Sequence, residues 1–134
     1  MQDRPTIPEL LTAVTHLLDE EVVPNLSGSR QFYGRVAANV LRIVMRELEH
    51  GEEQATTEWQ RLDALLSPAE QPGKQDAVRE AIWKRTGELC ARIQNGDADS
   101  GPYREQVLSH LKQTIHDKLI ISNPKWINRP VEEE

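Results

Sequence analysis

Three arginines and an asparagine stand in one line: Arg35, Asn39, Arg42 and Arg46, at i, i+4, i+7 and i+11. On a helix that spacing makes a single strip. Guanidinium groups bind carboxylates and phosphates through paired hydrogen bonds. The strip could therefore meet the acidic rim of a protein partner, hold a phosphate of an acyl-CoA or a nucleotide, or face only solvent. Around it Phe32, Tyr33, Val36, Val40, Val44 and Leu48, with Ala37, Leu41 and Ile43 and further Met45 and Ala38, make an apolar arc over roughly two-thirds of the circumference. A surface helix needs a much narrower stripe. This helix is then either the central one of its fold or one whose surplus face belongs to a partner. Glu47 falls inside the arc and is expected to pair with a basic residue of a neighbouring helix.

The other reactive side chains assemble into nothing comparable. His110 and His116 are six apart and point about 120° away from each other on a helix. His16 has Glu20 at i+4, but no third ligand stands near in sequence, so no metal is expected. Asn95-Gly96-Asp97-Ala98-Asp99-Ser100-Gly101 looks like the start of a calcium loop. Counting from Asp97, Pro102 replaces the turn glycine and Leu108 the bidentate glutamate, so it reads as a helix-to-helix connection. Cys90 lies near the apolar face of its helix and is expected to be a buried structural thiol. There is no glycine-rich phosphate loop, nucleophile elbow or paired-carboxylate motif. Neither a catalytic residue nor a cofactor is expected.

Composition narrows the class. The 134 residues, 37% hydrophobic and 28% charged, fit one folded domain. A net charge of −6 argues against nucleic acid or an anionic membrane as the main partner. The single cysteine excludes an internal disulfide. Met1-Gln2-Asp3-Arg4-Pro5 carries an early acid and no apolar run, unlike a signal peptide. No segment is apolar enough to span a membrane. A cytoplasmic location is expected.

The elements that must position these residues are all helical by period. Thr6-Ile7-Pro8-Glu9 is a capping box with a first-turn proline, and Leu11, Val14, Leu18 and Val22 carry the first helix to Pro24. The second helix should run from Arg30 to His50 and stop at Gly51, and a third from Glu52 to Leu66, with Ala55, Trp59, Leu62 and Leu66 in line. Gln71-Pro72-Gly73 breaks the chain before a fourth helix, Lys74 to Gln94, with Val78, Ile82, Leu89 and Ile93. Ser100 caps a fifth, whose stripe is Val107, Leu111, Ile115 and Leu119, and Asn123-Pro124 ends it. The expected fold is all-α: a compact bundle of about five helices over residues 1–124, helix two central, with a tail at 125–134. Trp83 and Trp126 are core or interface residues, and Trp126 could pin the tail. Asn39, a mediocre helix former in mid-helix, is expected to bond a neighbouring segment such as the Asn123-Pro124 turn.

Three segments in this order resemble a family of short bacterial helical proteins. They are Met1-Gln2-Asp3-Arg4-Pro5 with Glu9-Leu10-Leu11, then Arg35-Val36-Ala37-Ala38-Asn39-Val40-Leu41 with Arg46-Glu47-Leu48, and Asp117-Lys118-Leu119 leading to Asn123-Pro124. Members of that family are encoded beside an aminoglycoside-phosphotransferase-like kinase and an acyl-CoA-dehydrogenase-like enzyme. Their best understood setting is levulinic acid catabolism. The resemblance implies an accessory subunit, not itself an enzyme, that assists a kinase phosphorylating 4-hydroxyacyl-CoA thioesters. The alternative is a small-ligand binder holding an acyl-CoA or nucleotide phosphate on Arg35, Arg42 and Arg46.

Overall fold

The computed structural model describes residues 3–127. Among them there is no strand, and four α-helices carry the fold: α1 (Ile7–Leu17), α2 (Gly28–Leu65), α3 (Gln75–Gln94) and α4 (Gly101–Ser122). A π-helical turn (Leu18–Val22) and a 3-10 turn (Val23–Asn25) follow α1, and a second 3-10 turn (Pro124–Trp126) follows α4. The protein is all-α. Among the described residues no helix is long and apolar enough to cross a membrane. The chain divides into two compact units, Met1–Glu49 and His50–Glu134. Most of the expected tail, residues 128–134, lies outside the described residues.

In the first unit, the start of α1 forms as its sequence dictates. The Thr6 N–H donates to Glu9 Oε2 at 2.7 Å and the Glu9 N–H donates to Thr6 Oγ1 at 3.4 Å. The box thus satisfies two backbone donors that a helix start leaves open. The chain then stays helical through Asn25, with the π turn shifting the register where Asp19 sits. Gly28 opens α2 at φ +58, a conformation that a side chain would strain. Nearly two turns on, Gly34 lets the helix approach closely: a Cβ there would stand 3.0 Å from Val23 Cγ2. Gln31 Nε2 donates to the Val23 carbonyl at 3.2 Å, and Arg42 pairs with Asp19.

The second unit holds the larger core. Leu62, Leu65, Leu89 and Val107 pack together, with Tyr103 and Ile82 at their edge, and Ala55, Trp59 and Val78 continue the cluster. Arg85 is buried among them, and Arg92 stacks 4.3 Å from the centre of the Tyr103 ring. Arg92 also donates through Nη1 to the Leu65 carbonyl and through Nε to Asp97, each at 2.9 Å. These bonds take up a carbonyl at the end of α2 and fix the loop after α3.

Two expectations are corrected. The second and third helices are one, because Gly51 does not end α2. Its φ is not positive, it is followed by Glu52 and Glu53, and it begins the buried line Gly51, Ala55, Trp59, Leu62. A glycine costs a helix only about 1 kcal/mol, less than the hydrogen bonds and burial that continuation retains. Nor is helix two central. Of its arc, Phe32 is 62% exposed, Tyr33 66%, Val40 50% and Leu48 53%, and Ala38 alone is fully buried. Among the described residues of the first unit, α1 and the two short turns are the elements that could cover it, and they leave most of the arc open.

Candidate functional site

The candidate site is the apolar face of the first unit. Along α1, Ile7, Leu10, Val14 and Leu17 are spaced by three or four residues and fall on one line. Each is about half exposed. Along α2, Tyr33, Val36, Val40, Val44 and Leu48 repeat that spacing and are 41–66% exposed. Phe32 meets Tyr33 edge to face, with ring centres 5.8 Å apart, and stays open to solvent. Against these ten large apolar side chains the first unit buries Thr15, Val23 and Ala38 among the described residues. Single exposed apolar residues are normal on a protein surface. Lines of them on both helices of so small a unit are not.

The arginine strip has a different character at each position. Arg35 and Asn39 are exposed. Arg42 is half-buried and forms an ion pair with Asp19 in the π turn, which neutralises part of its charge. Arg46 is half-buried. The Asn123-Pro124 turn meets its backbone needs locally. Asn123 N–H donates to the Leu119 carbonyl at 2.9 Å, and the Asn123 carbonyl accepts from Trp126 N–H at 3.1 Å.

Elsewhere, Cys90 is exposed, contrary to expectation, because the buried face of α3 runs through Val78, Arg85 and Leu89 instead. Trp83 is 83% exposed on the same helix. Among the described residues no three His, Cys, Asp or Glu side chains are grouped to hold a metal ion.

Sequence reasoning missed His110. It is 5% exposed, and its pKa lies below the ordinary histidine value, first through burial and then through the positive charges of Arg61 and Lys118. Arg61 on α2 donates through Nη2 to Asp117 Oδ2 at 3.0 Å and to Thr114 Oγ1 at 3.3 Å. The signal was a row of polar residues at helical spacing, His110, Thr114 and Asp117, in line with Val107.

A family model described as "Domain of unknown function (DUF6285)" matches residues 24–126, which takes in α2 to α4 and leaves α1 outside. No curated protein and no solved structure matches the chain.

Proposed function

The chain belongs to the DUF6285 family, a domain of unknown function, and on that premise we propose that it is a non-catalytic accessory subunit. Its partner is a phosphotransferase-like kinase acting on 4-hydroxyacyl-CoA, of the kind found in levulinic acid catabolism, and both work in the cytoplasm. One observation carries the docking role: among the described residues the first unit exposes ten large apolar side chains while burying three residues. Covering such a face stabilises the complex by removing apolar surface from water. The kinase is named by the resemblance of the Arg35–Leu41, Arg46–Leu48 and Asp117–Leu119 segments.

Docking acts on the kinase by mass action. A surface that binds the competent kinase better than its other states raises the competent fraction. Arg35 and Arg46, with Asn39 between them, give the apolar face a polar flank that suits carboxylates on the kinase.

The test is co-expression with a phosphotransferase-like kinase of that kind, size-exclusion chromatography of the mixture, and phosphorylation of 4-hydroxyacyl-CoA with and without this chain. Co-elution and a higher rate are expected. Separate elution with equal rates excludes the accessory role, and direct binding of CoA by this chain alone favours the small-ligand alternative.

A further inference from the structure

The first unit is a helical hairpin with one apolar side. Gln31 on α2 reaches back to Val23, a Cβ at Gly34 would meet that same residue, and Arg42 pairs with Asp19. The partners move backward along the first limb as they move forward along α2, so the two limbs are antiparallel. At about 100° per residue, the line from Ile7 to Leu17 lies about 140° round α1 from the side marked by buried Thr15 and by Asp19. The line from Tyr33 to Leu48 lies about 140° round α2 from Gly34, Ala38 and Arg42, in the same sense. On antiparallel limbs, equal turns in one sense bring both lines to the same side of the hairpin. Half-buried Leu11, Leu18 and Leu41 fall between them by the same spacing.

Such a hairpin is half of a four-helix bundle. Ile7, Leu10, Val14 and Leu17 have the spacing of a coiled-coil seam, whose side chains need holes on a facing helix. Together the two lines hold nine large apolar side chains, each 41–66% exposed. Covering them removes on the order of 800 Å² per copy, which is the size of a standard stable interface.

Charge says which partner fits. Residues 6–25 hold four carboxylates, Glu9, Asp19, Glu20 and Glu21, and no lysine or arginine. Residues 26–46 hold four arginines, Arg30, Arg35, Arg42 and Arg46, and no carboxylate. On the apolar side itself, exposed Glu21 continues the α1 line one turn past Leu17, and exposed Arg30 stands just before Tyr33 on the α2 line. A two-fold axis along the bundle sets each copy's α1 antiparallel against the other's α2, with both loops at one end. Acid then meets base twice, which suits the surface to a second copy of itself.

We infer that the chain by itself is a two-fold dimer, two first units closing a four-helix bundle with Glu21 of each copy beside Arg30 of the other. The dimer shares its surface with the docking role but does not rest on the kinase: it is the form of the chain alone, which a kinase bound to this face replaces.

The test is sedimentation equilibrium of the purified full chain from about 1 to about 100 μM. The mass should rise with concentration to twice 15.3 kDa. Leu10→Glu with Val14→Glu should return it to one chain with the helical content kept. Glu21→Arg alone, or Arg30→Glu alone, should raise the dissociation constant by about tenfold, and the two together should restore it. A mass of one chain throughout, an open-ended series of larger species, a dimer that survives Leu10→Glu with Val14→Glu, or reversals that the pair does not rescue overturns the inference. No kinase is present, so this result and that of the co-elution assay are read separately.

Discussion

Arg85 on α3 reaches Asp63 on α2, its Nη2 donating to Oδ1 at 3.1 Å, and this pair closes the breaker between the two helices. The same carboxylate oxygen accepts the Ala69 N–H at 2.8 Å, and Arg85 Nη2 also donates to the Ser67 carbonyl at 2.9 Å. The guanidinium lies 5.6 Å from the centre of the Trp59 ring. One buried cation thus serves the core, the carboxylate and the irregular segment between α2 and α3.

Asp63→Ala should therefore be costly. It leaves a guanidinium, 9% exposed, with only a carbonyl and a ring for company, a loss of about 2–4 kcal/mol. Arg85→Met should cost less, because it removes the charge and keeps an apolar stem. In urea unfolding, the double variant should cost less than the two single ones summed, losing beyond Arg85→Met mainly the bond from the Ala69 N–H to Asp63. Equal costs for both single variants, adding in full, would show that the two side chains are not coupled.

The docking face makes a separate prediction. Val40→Glu with Val44→Glu places two charges on side chains that are 50% and 41% exposed. The fold should lose no more than about 1 kcal/mol, while the complex proposed with the kinase should be absent in size-exclusion chromatography. If the complex survives, the kinase docks elsewhere.

His110 gives the protein an acid sensitivity of known sign. Its folded-state pKa is lowered, first by burial and then by Arg61 and Lys118. The unfolded chain therefore takes up the proton first as pH falls. Above the ordinary histidine value this group costs nothing. Stability is lost as pH falls from there toward the lowered folded value. His110→Gln should flatten that part of the stability–pH curve, measured by urea unfolding at neutral and mildly acid pH. An unchanged slope would mean that another group sets it.

Cys90 should react with a thiol reagent in the folded protein, without denaturant, because it is exposed. Reaction only after unfolding would put the α3 face the other way round.

The sequence by itself determined where helices begin and end, wherever the signal is local. The Thr6 box, the Pro72-Gly73 break before α3, the α3 end at Gln94 and the start of α4 just after Ser100 stand as read. Caps, prolines and positive-φ glycines act within a few residues, so the chain carries their cause on its face. Gly51 was misread because a glycine without a turn around it is only a weak breaker, and the buried line from Ala55 to Leu62 outweighs it.

Only the tertiary structure decided how each helix is rotated about its axis. On α4 the apolar line reads Val107, Leu111, Ile115, yet Leu111 is 39% and Ile115 59% exposed, while Val107 and His110 are buried. The inner face is polar because Arg61, far away in sequence, supplies bonds to Thr114 and Asp117. On α3, likewise, Arg85 is buried because Asp63, Ser67 and Trp59 receive it. On the first half of α2 the apolar arc promised a central helix, but its own unit offers too little to cover it. Hydrophobic period names the face that prefers burial. Which face is buried depends on what another segment brings to meet it, and no local pattern holds that information.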